Sequence, residues 1–199
     1  MDLEKITDAV IRRLFVELEA SGRHVHVTKQ QAMQLFGHPL TPQRDLSQPG
    51  QYLAKERVRV IGPKGIFEDV AVLGPERPEA QVEISLTDGR HLGIVPPVRL
   101  SGKVEGTPGA VLEGPNGRVE LARGVLVAQR HMHLHPEDAE TMGIRDGQRV
   151  RLQTFTDRPV IFPDVVVRVH PHFATRVHLD YDEANACGFR PGDLGRILL

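Results

Sequence analysis

Two short runs of this 199-residue chain carry residues that could hold a metal ion: Arg23-His24-Val25-His26-Val27 and Arg130-His131-Met132-His133-Leu134. On a β-strand alternate side chains share a face. The two imidazoles of each run would then stand side by side, about 6.5–7 Å apart at Cα, and could converge on one cation. A single His-x-His is a weak signal. Here the pair recurs at an offset of 107 residues, with Ala32 and Leu35 matched by Ala139 and Met142. A second register, offset by 95 residues, aligns Ile66-Phe67-Glu68-Asp69-Val70 with Ile161-Phe162-Pro163-Asp164-Val165. It continues without a gap through Val82-Glu83-Ile84 on Val177-His178-Leu179 and Gly93 on Gly188. The chain reads as an internal duplication of two large units, unlike the many small units of a solenoid.

The register supplies a third candidate ligand to each pair: Glu83 to His24 and His26, and His178 to His131 and His133. Three nitrogen and oxygen ligands that leave a coordination position open are the pattern of catalytic zinc. Imidazole and carboxylate without thiolate suit other divalent first-row metals as well. Arg77 lies just before the strand that carries Glu83, where a guanidinium could grip an oxyanion with two parallel hydrogen bonds, and it is the expected catalytic residue. Arg23 and Arg130 fall on the opposite strand face from the histidines and read as structural. His170-Pro171-His172 is a third pair, but its proline argues for a loop. His135, on the same strand face as the second pair, reads as a helix-start or surface residue, with a ligand or an outer partner of that pair as the alternative.

The elements that must position these groups are mostly strands. Short β-like runs (Arg57–Ile61, Glu68–Leu73, Gln81–Leu86, Val119–Ala122, Val125–Ala128, Arg149–Gln153, Asp164–Val169, Arg176–Leu179) are separated by Gly-Pro pairs, as in barrels or sandwiches. Helices are expected at Lys29–Phe36 and Pro136–Met142, the latter opening on Pro136 and two acids. Residues 2–14 have the spacing of a short amphipathic helix through Leu3, Ile6, Val10 and Leu14, followed by an alternating strand near 16–20. The polar, Gly-rich stretch Ser101–Gly109 is the best boundary candidate. The expected division is therefore 1–20, then 21–107 and 108–199 as the two repeats.

Hydrophobic content of 40% supports a real core. A formal net charge of −1 offers no global field for nucleic acid or membranes. No apolar run approaches the length of a membrane span, and acids near the start argue against a secretory signal, so a cytoplasmic protein is expected. The lone Cys187 excludes an intrachain disulfide and reads as a core residue.

Gly22-Arg23-His24-Val25-His26-Val27-Thr28, Gly74-Pro75-Glu76-Arg77, Gln81-Val82-Glu83-Ile84-Ser85, Arg130-His131-Met132-His133-Leu134 and Asp182-Glu183-Ala184-Asn185-Ala186 together resemble the PduL-type phosphate propanoyltransferases. These are phosphotransacylases associated with bacterial microcompartments. The resemblance spans nearly the whole chain. It implies a mainly β fold of two similar, intertwined β-barrels capped by short helices, with the first strand exchanged into the C-terminal barrel. It also implies a two-zinc site between the barrels, with His24, His26, Glu83, His131, His133 and His178 as ligands and Arg77 at phosphate. Some members carry a short N-terminal helix that directs packaging into a shell, which residues 2–14 resemble.

The reaction this implies is acyl-CoA plus phosphate giving acyl phosphate plus CoA, with about two zinc ions per chain. Direct attack by phosphate is favoured, because no Ser or Cys is placed as an obvious nucleophile. Ser101 and its neighbours in Arg99–Lys103 are candidates for polar contacts to coenzyme A, and a homodimer is expected. Two other readings use the same ligands: a dinuclear zinc hydrolase, and a non-catalytic, metal-stabilised module associated with a shell.

Overall fold

The computed structural model of the chain describes residues 14–199. Apart from Leu14, the amphipathic segment 2–14 lies outside the described residues. Among the described residues the fold is mainly β, with a closed six-stranded barrel, a second sheet and four short helices. By packing, the described residues divide into two units, Gly22–Ala128 and residues 14–21 with Gln129–Leu199.

The Gly22–Ala128 unit is built on strands β2 (His24–His26), β4 (Tyr52–Ile61), β5 (Ile66–Gly74) and β6 (Gln81–Glu83). β2 runs parallel to β5 and antiparallel to β6, and β4 is antiparallel to β5. The β4–β5 turn, Gly62-Pro63-Lys64-Gly65, closes through the Gly62 amide on the Gly65 carbonyl at 2.9 Å. β3 (Pro42–Asp45), β7 (Val98–Arg99), β8 (Ala110–Gly114), β9 (Gly117–Leu121) and β10 (Val125–Ala128) complete the nine-stranded sheet. Its core is Val- and Leu-rich, including Val25, Val60, Val72, Val82 and Leu112. Such β-branched residues suit strands covered on their inner face.

The second unit repeats this frame with different partners. β11 (His131–Leu134) runs parallel to β13 (Ile161–Val169) and antiparallel to β14 (Arg176–Asp180), while β12 (Arg149–Phe155) is antiparallel to β13. The barrel closes through β15 (Leu194–Leu198) and β1 (Val16–Ser21), which pairs parallel with β14 and antiparallel with β15. Val16 and Leu18 of β1 are buried among Met132, Leu152, Val167 and Val177.

The duplication reaches into the backbone. Asp69 and Asp164, equivalent in the 95-residue register, are the two non-glycine residues with left-handed φ among those described, at 55° and 56°. Aspartate tolerates that region better than most residues. Gly93 and Gly188, equivalent in the same register, each end a helix in the left-handed conformation. That is the usual glycine helix stop. Helices α1 (Lys29–Phe36) and α3 (Pro136–Met142) occupy their expected spans. α2 (Leu86–Leu92) and α4 (Tyr181–Cys187) are additions. The expected strand Gln81–Leu86 stops at Glu83 because Ser85 caps α2.

Candidate metal centre

All four ligand-bearing strands end in one way. Two residues beyond the last candidate ligand lies a helix N-cap: Thr28 after His26, Ser85 after Glu83, His135 after His133 and Asp180 after His178. Thr28, Ser85 and Asp180 form full capping boxes with Gln31, Asp88 and Glu183. A cap fixes where extended backbone turns helical, so it also fixes the strand end that presents the ligand. Arginine clamps add to this. Arg23, just before β2, pairs with Asp88 and lies over the Phe67 ring; Arg130, just before β11, pairs with Glu183. Each clamp ties the start of a His-x-His strand to the helix that follows the third ligand.

Across β2 and β6, His24 sits directly opposite Glu83, and across β11 and β14 His131 sits opposite His178. In each triad the candidate ligand atoms lie within 4.8 Å of one another, and either group could hold a metal ion. His24, His26, Glu83, His131 and His133 are buried. His24 Nδ1 donates to the Gly22 carbonyl at 2.7 Å, and His26 Nδ1 donates to the Leu73 carbonyl at 3.1 Å. Carbonyls only accept, so both Nδ1 atoms carry hydrogen, and in the neutral rings both Nε2 atoms present lone pairs. Those Nε2 atoms face each other at 3.1 Å, with Glu83 Oε1 at 3.5 and 3.9 Å from them. Three lone pairs directed into one buried spot repel unless a cation lies between them, so the donor set fits a metal. In the second triad His131 Nδ1 donates to the Gln129 carbonyl at 2.8 Å, which sets the same tautomer. The His131, His133 and His178 rings lie 4.7–5.1 Å apart, centre to centre. Nδ1 held by a carbonyl and Nε2 left to coordinate is the usual arrangement of a metal-bound histidine.

Arg77 enters the first triad from the loop between β5 and β6, where its backbone amide is fixed on the Val27 carbonyl at 2.9 Å. Its Nη1 donates to Ser101 Oγ at 3.2 Å, and Ser101 Oγ donates to Glu83 Oε1 at 2.8 Å. The buried Gln81 amide donates to Ser101 Oγ at 2.9 Å and also to Glu83 Oε1. Ser101 therefore lies against the Glu83 carboxylate, with its proton and its acceptor capacity all engaged.

The sequence model for phosphate propanoyltransferase matches residues 17–190. The chain belongs to the phosphate propanoyltransferase family. It is 51% identical to a phosphate propanoyltransferase of Enterococcus faecalis, with 98% of this chain and 97% of that protein aligned. It is 50% identical to one of Listeria monocytogenes over 98% and 93%, and 52% identical to one of Thermotoga maritima over 87% and 84%. This phosphate propanoyltransferase family is one of acyltransferases, so the chain is an enzyme of that class.

Against protons alone the first triad of this family member is strongly polarised. Burial by itself would lower the His24 pKa, but the charge and hydrogen bond of Glu83 and the Gly22 carbonyl outweigh it, and the pKa is raised. Burial likewise opposes ionisation of Glu83, yet His24, His26 and the Ser101 hydroxyl hold its carboxyl well below the usual range. His26 is pushed well down by burial, then by the neighbouring His24 and Arg77 charges. Without metal, the Glu83 carboxylate and His24 thus stabilise each other's charged forms, while His26 is held neutral.

The remaining sequence candidates sort clearly. His135 caps α3, its Nδ1 accepting the Glu137 amide at 3.4 Å. His170 and His172 lie in the turn after β13, and His170 Nδ1 accepts the His172 amide at 3.2 Å. Cys187 is buried, its thiol donating to the Ala184 carbonyl, and burial raises its pKa. Gln81 was not among the site residues expected from sequence. Its one sequence signal is an amide on the same strand face as Glu83, two residues before it.

Proposed function

We propose that the chain transfers an acyl group between coenzyme A and inorganic phosphate, with one zinc ion held by His24, His26 and Glu83 and another by His131, His133 and His178. The observation that carries this is the set of two Nε2 atoms and a carboxylate oxygen gathered at one buried spot, in a chain of the phosphate propanoyltransferase family. Zinc bound there would supply Lewis-acid charge for phosphate and for the thioester carbonyl. Arg77, fixed through its backbone on Val27, holds phosphate by a charge-assisted pair of hydrogen bonds and sets an oxygen toward the substrate.

In this reading a phosphate oxygen adds to the thioester carbonyl carbon, the C–S bond breaks, and coenzyme A leaves as the thiolate. The product is an acyl phosphate, and the reverse step reforms the thioester. Direct attack is supported by the states of Ser101 and of the lone cysteine, Cys187. Ser101 Oγ is engaged by Arg77, Gln81 and Glu83, and the Cys187 thiol is buried with a raised pKa. In the segment assigned to coenzyme A, Ser101 joins the metal group to the exposed Arg99 and Lys103, whose charges suit the phosphates of the cofactor. A short acyl chain and a homodimer belong to the same proposal. So does packaging into a microcompartment through residues 2–14; deleting 2–14 should abolish co-localisation with a shell and spare turnover and melting temperature, whereas a helix that packs on its own barrel would cost stability when deleted.

The test is zinc content together with acyl-phosphate formation. Purified protein should contain about two zinc ions per chain. It should release CoA thiol from propanoyl-CoA only when phosphate is present. Thiol release that ignores phosphate would make it a hydrolase, and active protein without transition metal would overturn the metal assignment.

A further inference from the structure

The first triad differs from the second in needing its carboxylate aimed. An imidazole held by a carbonyl has one nitrogen left to coordinate, but a glutamate carboxylate can rotate and offer either oxygen. Beside Glu83 on the same strand face is Gln81, a polar residue buried at 2% exposure. Its Nε2 donates to Glu83 Oε1 and, at 2.9 Å, to Ser101 Oγ. Its Oε1 accepts the Gly102 amide at 2.6 Å. The Gly102 amide is a donor, so the amide orientation is determined: oxygen to the turn, nitrogen to the carboxylate.

The repeat provides an internal control. The residue two before the third ligand and opposite the second histidine is Gln81 in the first unit, facing His26, and Arg176 in the second, facing His133. Behind the imidazole of His178 no amide is needed, and Arg176 turns instead to Glu17 and Glu19 of β1. The equivalent position changes chemistry with the ligand it stands behind.

We infer that Gln81 is a positioning residue for the first metal centre. It holds Glu83 Oε1, the oxygen that faces the His24 and His26 nitrogens, and ties it to the Ser101–Gly102 turn, so that Arg77, Ser101, Gln81 and Glu83 form one hydrogen-bonded unit. This rests on the metal reading of the first triad. Partners that hydrogen-bond a ligating carboxylate commonly change metal affinity by about 10–100-fold when removed.

The experiment uses Gln81→Glu, which keeps the shape but replaces the donor with an acceptor, and Gln81→Met, which keeps the bulk without hydrogen bonds. Both are made in a His178→Ala background, where the first triad is the metal group left intact. Cobalt(II) and zinc are titrated against a competing chelator, and the visible cobalt spectrum is recorded. Both variants should bind about 10–100-fold more weakly, with a shifted cobalt band. Ser101→Ala, a smaller change at a partly exposed turn, should weaken binding in the same direction and serves if the Gln81 variants do not fold. Parent affinity and spectrum in Gln81→Met would show that the residue only fills space, and would overturn the inference while leaving the metal reading intact. Failure of the His178→Ala parent itself to bind cobalt or zinc would overturn both.

Discussion

Replacing Arg77 with alanine should lower kcat/KM for phosphate by about ten- to 150-fold while leaving the metal content at its parent value. The structure separates the side chain from the backbone. The Arg77 amide is held on the Val27 carbonyl at 2.9 Å, so the loop should keep its course without the guanidinium. The side chain donates to the neutral Ser101 Oγ at 3.2 Å, and a guanidinium carries five N–H donors in a planar fork that matches an oxyanion. A hydrogen bond to a charged partner is worth about 1.5–3 kcal/mol, and each 1.36 kcal/mol is tenfold in rate, which sets the range. Lysine should rescue only in part, because a point charge replaces a planar fork. The assay follows CoA thiol release at saturating propanoyl-CoA with phosphate varied. A rise in KM alone would mean that the contact is equally strong in the ground state, and a fall in kcat that it tightens in the transition state. A fully metallated Arg77→Ala enzyme with parent phosphate kinetics would refute the assignment.

Acidification should empty the first centre as protons compete with the metal for its ligands; zinc retention measured across a pH series checks this. In metal-free protein the Glu83 contribution to stability is present above the ordinary carboxylate pKa and is lost as pH falls through its lowered folded value. The His24 contribution is present below the ordinary imidazole pKa and lost as pH rises through its raised one, so the Glu83→Gln variant should have a flatter melting profile on the acid side. His178→Ala should lose about one zinc per chain and keep the metal of the first triad, as elemental analysis of the variant would show. Gly109→Ala places a Cβ 1.8 Å from the Leu121 carbonyl oxygen, and the β8–β9 pair must part to admit it; denaturant unfolding should report a loss of about 1–3 kcal/mol or more.

The chemistry-bearing residues were legible in the sequence because their spacing has a local cause. A strand repeats every two residues, so His24 with His26 and His131 with His133 had to share a face once those runs were strands. The duplication then carried Glu83 and His178 into register with them. The α1 and α3 spans were legible for the same kind of reason, from apolar spacing and from Pro136 with its following acids. α2 and α4 had local signals too, Ser85 with Asp88 and Asp180 with Glu183 ahead of a glycine, but short β-like runs just before them masked the change of period. What no local rule could decide was which distant segments meet. The pairing of β1 with β14 and β15, and the arrival of the Ser101–Gly102 turn against Gln81 and Glu83, join residues far apart in the chain. Those contacts follow from closing sheets around two apolar cores, where every buried polar group must find a partner. Gln81 acquired its place behind Glu83 only once the fold had put both out of reach of water.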